Sequence, residues 1–217
     1  MYRFVFFLHL GAAGLAAQSF AGASGGIATL SGDGRTVVDG SRTAVSLYKP
    51  ENGLAAMVFA GRHFSDWISA QASYSTNRND LLLTSVIVDG GGERTYEQAR
   101  RARIHAVVAE LMVYFRNKES RIRPYLSAGP GYARIATRAG EVRVLRGAAA
   151  VPPAETVAGS VALRVAVGMD VRLAKRLWLR YSFAETIQRN APSKLLTPAG
   201  HRNLANFQNL FGAVWTF

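Results

Sequence analysis

Apolar and polar residues alternate along most of this chain with a period of two. The clearest stretch runs from Val161 to Leu173, where Val, Leu and Met occupy every second position and Ala, Arg, Gly and Asp fill the positions between them. This alternation predicts a β-strand with two different faces. The stretch is longer than the usual ~5–6 residues of a soluble strand and suits a tilted strand that crosses a membrane, which takes ~9–11 residues.

The end of the chain shows the same pattern with larger side chains. One face carries Phe207, Phe211, Ala213, Trp215 and Phe217, and the other carries Gln208, Leu210, Gly212, Val214 and Thr216. Large apolar side chains opposite smaller and more polar ones are typical of a strand between lipid and a barrel lumen.

Counted back from the end, the alternation predicts strands near residues 54–63, 67–78, 99–116, 122–138, 158–173, 177–189 and 204–217. Single-chain barrels have even strand numbers, so an eighth strand is expected at about 41–49. Short connections (64–66, 117–121, 174–176) alternate with long ones (79–98, 139–157, 190–203). The predicted fold class is all-β: a closed antiparallel up-and-down transmembrane β-barrel of about eight strands. Trp67 and Trp178 each follow a tight turn, so both are expected at a membrane interface.

Residues 99–116 are rich in helix formers, and propensity alone favours a helix there. The order of hairpins needs a strand instead, and we favour the strand. In that interpretation His105 and Phe115 face lipid, whereas Glu110 and Tyr114 face the lumen.

The N-terminus has the features of a secretory signal peptide. A positive start at Arg3 precedes a short apolar stretch that is too short for a spanning helix. Ala21-Gly22-Ala23 offers a cleavage site, with Ser19-Phe20-Ala21 as a second candidate. The predicted organisation is a signal peptide at 1–23, a flexible Gly- and Ser-rich periplasmic lead-in at 24–40, and the barrel at 41–217.

The C-terminal pattern Gly212-x-x-Trp215-x-Phe217 resembles the sorting signal of bacterial outer-membrane β-barrel proteins, although Leu210 stands where that family usually has a polar residue. The segment from Arg123 to Tyr132 also resembles the mid-barrel strand of small eight-stranded members. The resemblance implies a monomer in the outer membrane. It also implies recognition of Gly212, Trp215 and Phe217 by the barrel-assembly machinery, after transport by periplasmic chaperones.

The charge and the cysteine content limit which cofactors and binding partners the protein can be expected to have. The chain has 26 Lys and Arg against 14 Asp and Glu, and no Cys. Without Cys, thiol catalysis, thiolate metal sites and iron–sulfur clusters are excluded. The arginines are scattered and form no basic helix, so nucleic acid is not an expected partner. Outer-membrane lipid and the phosphates of lipopolysaccharide fit the positive charge better.

Six charged residues fall on the predicted lumen face: Glu110, Arg123, Arg164, Asp170, Arg172 and Arg180. Eight strands leave an interior just wide enough for side chains, so opposite charges can pair there and fill it. The alternative is that these charges line a narrow pore or a conduit for small hydrophobic solutes.

Candidates for catalysis are few. His63 lies close to Ser65 and Asp66, but all three share one tight turn, and we interpret them as a solvated turn rather than a relay. Lipid A deacylases carry a His-x-Ser motif near the C-terminal strands, whereas His201 is followed by Arg202 and Asn203. No pair of histidines has metal-ligand spacing. We therefore expect neither an enzyme nor a cofactor, with a lipid A-modifying enzyme as the less favoured alternative.

The sequence thus predicts an integral outer-membrane barrel with a side-chain-filled lumen and a structural or surface-interaction role. A soluble periplasmic β-sandwich would also show alternation, but it leaves the aromatic end of the chain unexplained.

Overall fold

A computed structural model of the protein describes residues 18–147, 155–196, 198–200 and 202–217. These residues form antiparallel strands joined by turns and one short 3₁₀ turn, Pro192–Leu195. The strands are β1 (Ser19–Leu30), β2 (Asp33–Asp39), β3 (Arg42–Pro50), β4 (Gly53–His63), β5 (Ile68–Asp89), β6 (Gly92–Tyr114), β7 (Ile122–Arg146), β8 (Thr156–Arg172), β9 (Leu177–Gln188) and β10 (Leu204–Thr216). No helix in the described ranges is long and apolar enough to cross a membrane.

Eight strands close into a ring in the order β1, β4, β5, β6, β7, β8, β9, β10, and β10 returns to β1. The closing pair runs from Phe20 opposite Thr216 to Leu30 opposite Asn206. The closed antiparallel barrel of eight strands is therefore confirmed. Residues 99–116 lie in and just after β6, which pairs with β5 and β7, because pairing on both sides outweighs helix propensity.

The first strand of the ring is not the one predicted. It is β1, so the barrel begins at Ser19 rather than at residue 41, and residues 24–40 form the rest of β1 and β2 instead of a flexible lead-in. Of the glycines that suggested a linker, Gly26 is required by close packing, since a Cβ there would lie 1.9 Å from the Asn209 carbonyl oxygen. The outward positions of β1 from Ser19 to Gly25 are small, and Ile27 is its one large outward side chain, so the strand lacks the run of large alternating side chains that revealed the others.

Residues 1–17, most of the predicted signal peptide, lie outside the described residues. Phe20 pairs with Gly61 on one side and with Thr216 on the other. Cleavage at either predicted position would remove the first residues of this strand and leave the rest of β1 paired with β4 and β10. The cleavage site and the export signal itself stay predictions.

The two ends of the barrel differ. One end, the turn end, holds Ser19, Phe217 and the short connections 64–67, 115–121 and 173–176. At the other end, the wall end, strand β3 of the β2–β3 hairpin pairs with residues 81–88 of β5. Much of the predicted long connection 79–98 is strand, since β5 and β6 pair as far as Asp89 and Gly92. We call residues 33–50, 81–100 and 139–146 the hairpin wall.

The predicted faces of β8 and β10 are confirmed. Val161 is 77% exposed on the outer face, whereas Leu210 on the inner face is fully buried. Trp178 is an exception: it was expected at a membrane interface but lies in the lumen at 7% exposure. Trp67 is half exposed at the turn end.

Candidate functional site

The lumen holds the chemically distinctive side chains of this protein. Each strand aims every second residue inward, so charges that are distant in sequence meet there. Of the six predicted lumen charges, Glu110, Arg123, Arg164, Asp170 and Arg180 are at most 4% exposed, whereas Arg172 is only half-buried.

The most complete interaction in the lumen joins Arg180 and Asp170, which face each other across β8 and β9. Arg180 donates through Nε and Nη2 to the two Asp170 oxygens at 2.7 and 2.8 Å. The Tyr114 hydroxyl donates to the same carboxylate at 3.0 Å, and Arg180 also donates to Gln71 Oε1 at 2.6 Å. A two-pronged, fully hydrogen-bonded pair is the arrangement that makes buried opposite charges tolerable.

A second, looser pair lies farther along the lumen. Arg164 Nε is 3.5 Å from Glu110 Oε1 and has no hydrogen-bond partner within the described residues. Arg164 instead donates to Gln208 Oε1 at 2.7 Å, while Ser127 donates to Glu110 at 2.9 Å. Hydrogen bonds to neutral groups therefore carry much of the stabilisation of both charges.

Gln71 links the two pairs. Its amide nitrogen donates to Glu110 Oε2 at 3.2 Å, and its oxygen accepts from Arg180. The four charges thus form one continuous network across the lumen. Sequence reasoning missed Gln71, although its place among the inward positions of β5 could have suggested it.

Arg123 and Arg172 lie beside this network, at the turn end, and form hydrogen bonds with backbone carbonyl groups instead of with its carboxylates. The Arg123 guanidinium stacks over the Tyr114 ring at 3.9 Å and donates to the Asp66 carbonyl at 2.8 Å. Arg172 stacks over Trp178 at 4.7 Å and donates to the Lys118 carbonyl. A cavity of about 160 Å³ lies between them, lined by His63, Lys118, Arg123, Asp170, Arg172 and Trp178.

His63 is not part of a solvated turn, as the sequence suggested. It is 4% exposed, and its Nδ1 lies 2.5 Å from the Ser69 hydroxyl. The sequence interpretation failed because His63 is the last inward position of β4 and precedes the turn. Ser65 has a different role, since its hydroxyl accepts from the Ile68 backbone N–H at 3.1 Å and thereby caps the turn.

An apolar layer fills the lumen toward the wall end. It comprises Leu30, Tyr48, Leu81, Leu83, Ala102, Ile104, Ile135, Leu196 and Leu204. Leu196 comes from the connection between β9 and β10, which is held by hydrogen bonds from Ser46 Oγ to the Pro198 carbonyl at 2.6 Å and from Arg35 to the Ala199 carbonyl at 2.8 Å. Burial, with the Asp33 charge nearby, raises the pKa of Tyr48 above its usual range.

Other candidate residues have simpler surroundings. In the described part of the chain, no group of three His, Asp or Glu side chains could hold a metal ion. His201 lies outside the described residues. In the predicted assembly signal, Trp215 and Phe217 are 46% and 69% exposed on the outer face, and Gly212 packs closely on β1. Recognition of these three residues by the assembly machinery stays a prediction.

A closed ring with an apolar outer face and a polar, filled lumen defines an integral outer-membrane β-barrel protein. The sequence matches the outer membrane protein beta-barrel domain over residues 4–217, and the chain belongs to this family. It is thus a protein of the bacterial outer membrane. In this architecture the turn end is periplasmic and the wall end extracellular.

Solved structures of outer-membrane barrels are similar to this chain. The Neisserial surface protein A is 13% identical, with a TM-score of 0.53 and a match covering 92% of this chain and 97% of that one. The outer membrane protein OprG from Pseudomonas aeruginosa is 15% identical, with a TM-score of 0.51 and coverage of 93% and 96%. At these identities the likeness shows the fold alone. No curated protein sequence matches the chain.

Proposed function

We propose that this protein is a non-conducting barrel that anchors the hairpin wall outside the cell as a surface for interaction. The observation that carries this proposal is the filled lumen. The charge network centred on Arg180 and the apolar layer around Leu83 occupy successive levels of the barrel interior. Eight strands leave no spare diameter for a channel once such side chains are in place.

The hairpin wall suits recognition. It stands on the rigid ring and exposes apolar side chains to the outside, including Val38 at 68%, Leu47 at 47% and Val144 at 45%. Among the described strands, β2 pairs only with β3, so its other edge offers backbone groups for pairing with a partner. Projecting segments on a rigid scaffold commonly carry binding.

The same geometry argues against catalysis. The Ser69 hydroxyl that meets His63 is fully buried, so a substrate reaches it only if the lumen opens. We therefore propose a binding or structural role and not an enzymatic one.

A narrow pore is the second candidate, and unpaired polar groups inside the barrel favour it. Among the described residues, Arg164 Nε, the Gln188 amide and Asn206 Oδ1 are buried without a hydrogen-bond partner. Water normally satisfies such groups, and a file of water would make a pathway. This pathway would also have to cross the apolar layer.

Conductance measurements in planar bilayers distinguish the non-conducting barrel from the narrow pore. We expect a flat trace from the folded protein. Steady opening is expected only when both levels are thinned, the apolar layer by Leu83→Gly and Leu196→Gly and the charge network by Arg180→Ala and Asp170→Ala. A matched control is Leu82→Gly, which changes the neighbouring outward position of β5. Steady conductance by the unmodified protein would overturn the proposal in favour of the pore.

A further inference from the structure

The outer surface of the barrel carries a cluster of arginines at the wall end of the membrane-facing surface. We call it the outer arginine patch; it comprises Arg78 on β5, Arg101 and Arg103 on β6, and Arg134 and Arg138 on β7. All five side chains are exposed. The three strands are neighbours in the ring, so the residues form one patch.

The register places these positive charges directly against each other. Arg78 faces Arg103 across β5 and β6, and Arg101 faces Arg138 across β6 and β7. Neighbouring strands lie ~4.8 Å apart, and like charges that face each other at this distance are destabilising. Such an arrangement calls for a counter-charge.

The protein supplies little of that counter-charge. Arg101 approaches Asp80 at 3.7 Å, but the two side chains are 88% and 66% exposed. The other four arginines make no hydrogen bond or ion pair with any described residue. The patch thus keeps a positive charge that an anion from outside can neutralise.

The patch borders the membrane. Toward the turn end, the outward positions after Arg78 and Arg103 are Thr76 and His105, which face each other. They are followed by Tyr74 and Val107, and Tyr132 follows Arg134 directly; these three are 42%, 58% and 58% exposed. The Tyr74 hydroxyl meets His105 Nδ1 at 2.7 Å, just beneath the arginines. Tyrosines between charged and apolar positions, here Tyr74 and Tyr132, mark the interface of a membrane. Because the patch lies on the extracellular side, the adjacent lipid is that of the outer leaflet.

An apolar groove adjoins the patch. It has a volume of about 540 Å³ and is lined by Gly26, Leu54, Ala56, Thr76, Arg78 and Arg103. Gly26 on β1 and Ala56 on β4 are small, and Leu54 adds an exposed apolar side chain, so the groove is apolar and open along the barrel wall. An acyl chain can lie there while its polar head reaches Arg78 and Arg103.

We propose that the outer arginine patch binds the phosphate groups of the outer-leaflet glycolipid, lipid A, with an acyl chain in the adjoining groove. Arginine forks donate paired, charge-assisted hydrogen bonds to phosphate. The proposal rests on the membrane location of the barrel and not on its proposed function, so the two can fail separately.

Binding isotherms of purified protein, folded in a neutral detergent, test the proposal. The probes are bis-phosphorylated lipid A, the same lipid A without phosphates, phosphatidylglycerol and heparin. The variants are Arg78→Gln/Arg103→Gln and, on the next strand, Arg134→Gln/Arg138→Gln. The control Arg42→Gln/Arg143→Gln removes the same charge from exposed positions of the hairpin wall. Heat-dependent gel mobility verifies that each protein is folded.

We expect bis-phosphorylated lipid A to bind the control as it binds the unmodified protein. Each patch variant should lose about tenfold or more in affinity, because charge-assisted hydrogen bonds to phosphate are removed. Dephosphorylated lipid A should bind weakly to every protein.

Three results would overturn the proposal. Patch variants that bind lipid A as well as the control would show that the arginines make no contact with it. Equal affinity for phosphatidylglycerol would show a general phosphate site rather than a glycolipid site. Patch-dependent binding of heparin without binding of lipid A would assign the patch to a soluble polyanion.

Discussion

Arginines occupy two opposite environments in this barrel. Arg164 and Arg180 lie in the lumen at 1% exposure, and each has a carboxylate within 3.5 Å. Arg78 and Arg103 lie exposed on the outer face, opposite each other, and neither forms an ion pair with an acidic side chain among the described residues. A shift of one residue along a strand exchanges these environments, so strand register decides whether an arginine supports the fold or remains available to a ligand.

Among the described residues, these two inner arginines are paired with carboxylates and these two outer ones are not, because the two groups lie in different surrounding media. Inside the barrel a charge has lost its water, and it is tolerated only when hydrogen bonds and an opposite charge replace that water. At the outer interface water and lipid headgroups remain in contact with the guanidinium, so pairing within the protein is not required. We therefore expect inner substitutions to change stability and outer ones to change binding.

The largest effect is expected from Arg180→Leu. The change leaves the Asp170 carboxylate buried without its cation and should lower the free energy of unfolding by about 3–5 kcal/mol. Urea unfolding in lipid vesicles, followed by tryptophan fluorescence, measures it. The double variant Arg180→Leu/Asp170→Leu should recover most of the loss, and an equal loss in both would assign the effect to packing.

A smaller loss, about 2–3 kcal/mol, is expected from Arg164→Leu. The Arg164–Glu110 distance is longer, and Glu110 keeps hydrogen bonds from Ser127 and Gln71. The same unfolding titration measures this loss. A loss equal to that of Arg180→Leu would mean that hydrogen-bond geometry does not distinguish the two pairs.

The same contrast between a buried and an exposed side chain applies to two serines near the turn end, Ser69 and Ser65. Ser69→Ala removes the buried partner of His63 and should cost about 1–2 kcal/mol. Ser65→Ala, in the exposed turn, should cost less than half as much, because water can reach the freed backbone N–H groups. Similar losses in unfolding titrations of the two variants would contradict the importance of burial here.

The smallest change in stability is expected for Arg78→Gln/Arg103→Gln. In vesicles of neutral lipid the free energy of unfolding should change by no more than about 0.5 kcal/mol. It should rise rather than fall, because the two facing charges repel each other, and the gain should shrink with added salt. A marked loss of stability would show that these arginines support the barrel itself.

The alternation of apolar and polar residues predicted most strands of the ring, because the outward side chains of those strands are large. Val161 on β8 and Phe211 on β10 are plain examples. The same rule failed for β1, because Ala21, Ala23 and Gly25 on its outward face are too small to alternate visibly with the inward residues, and Ile27 alone does not reveal the strand. It also predicted loops at 79–98 and 139–157, where strands continue, and it placed the strand at 41–49 in the ring, whereas that segment is β3 of the hairpin wall. The pairing of β3 with residues 81–88 of β5 depends on contacts between distant segments.

By itself, the sequence determined the class of fold, the inward or outward face of most strand residues and the membrane in which the protein resides, because these follow from a local period of two and from the aromatic end of the chain. Only the tertiary structure decided which strand closes the ring, that Gln71 joins two ion pairs, and that Arg78 and Arg103 face each other. These features depend on the register between strands, which links residues far apart in sequence and leaves no trace in a local pattern.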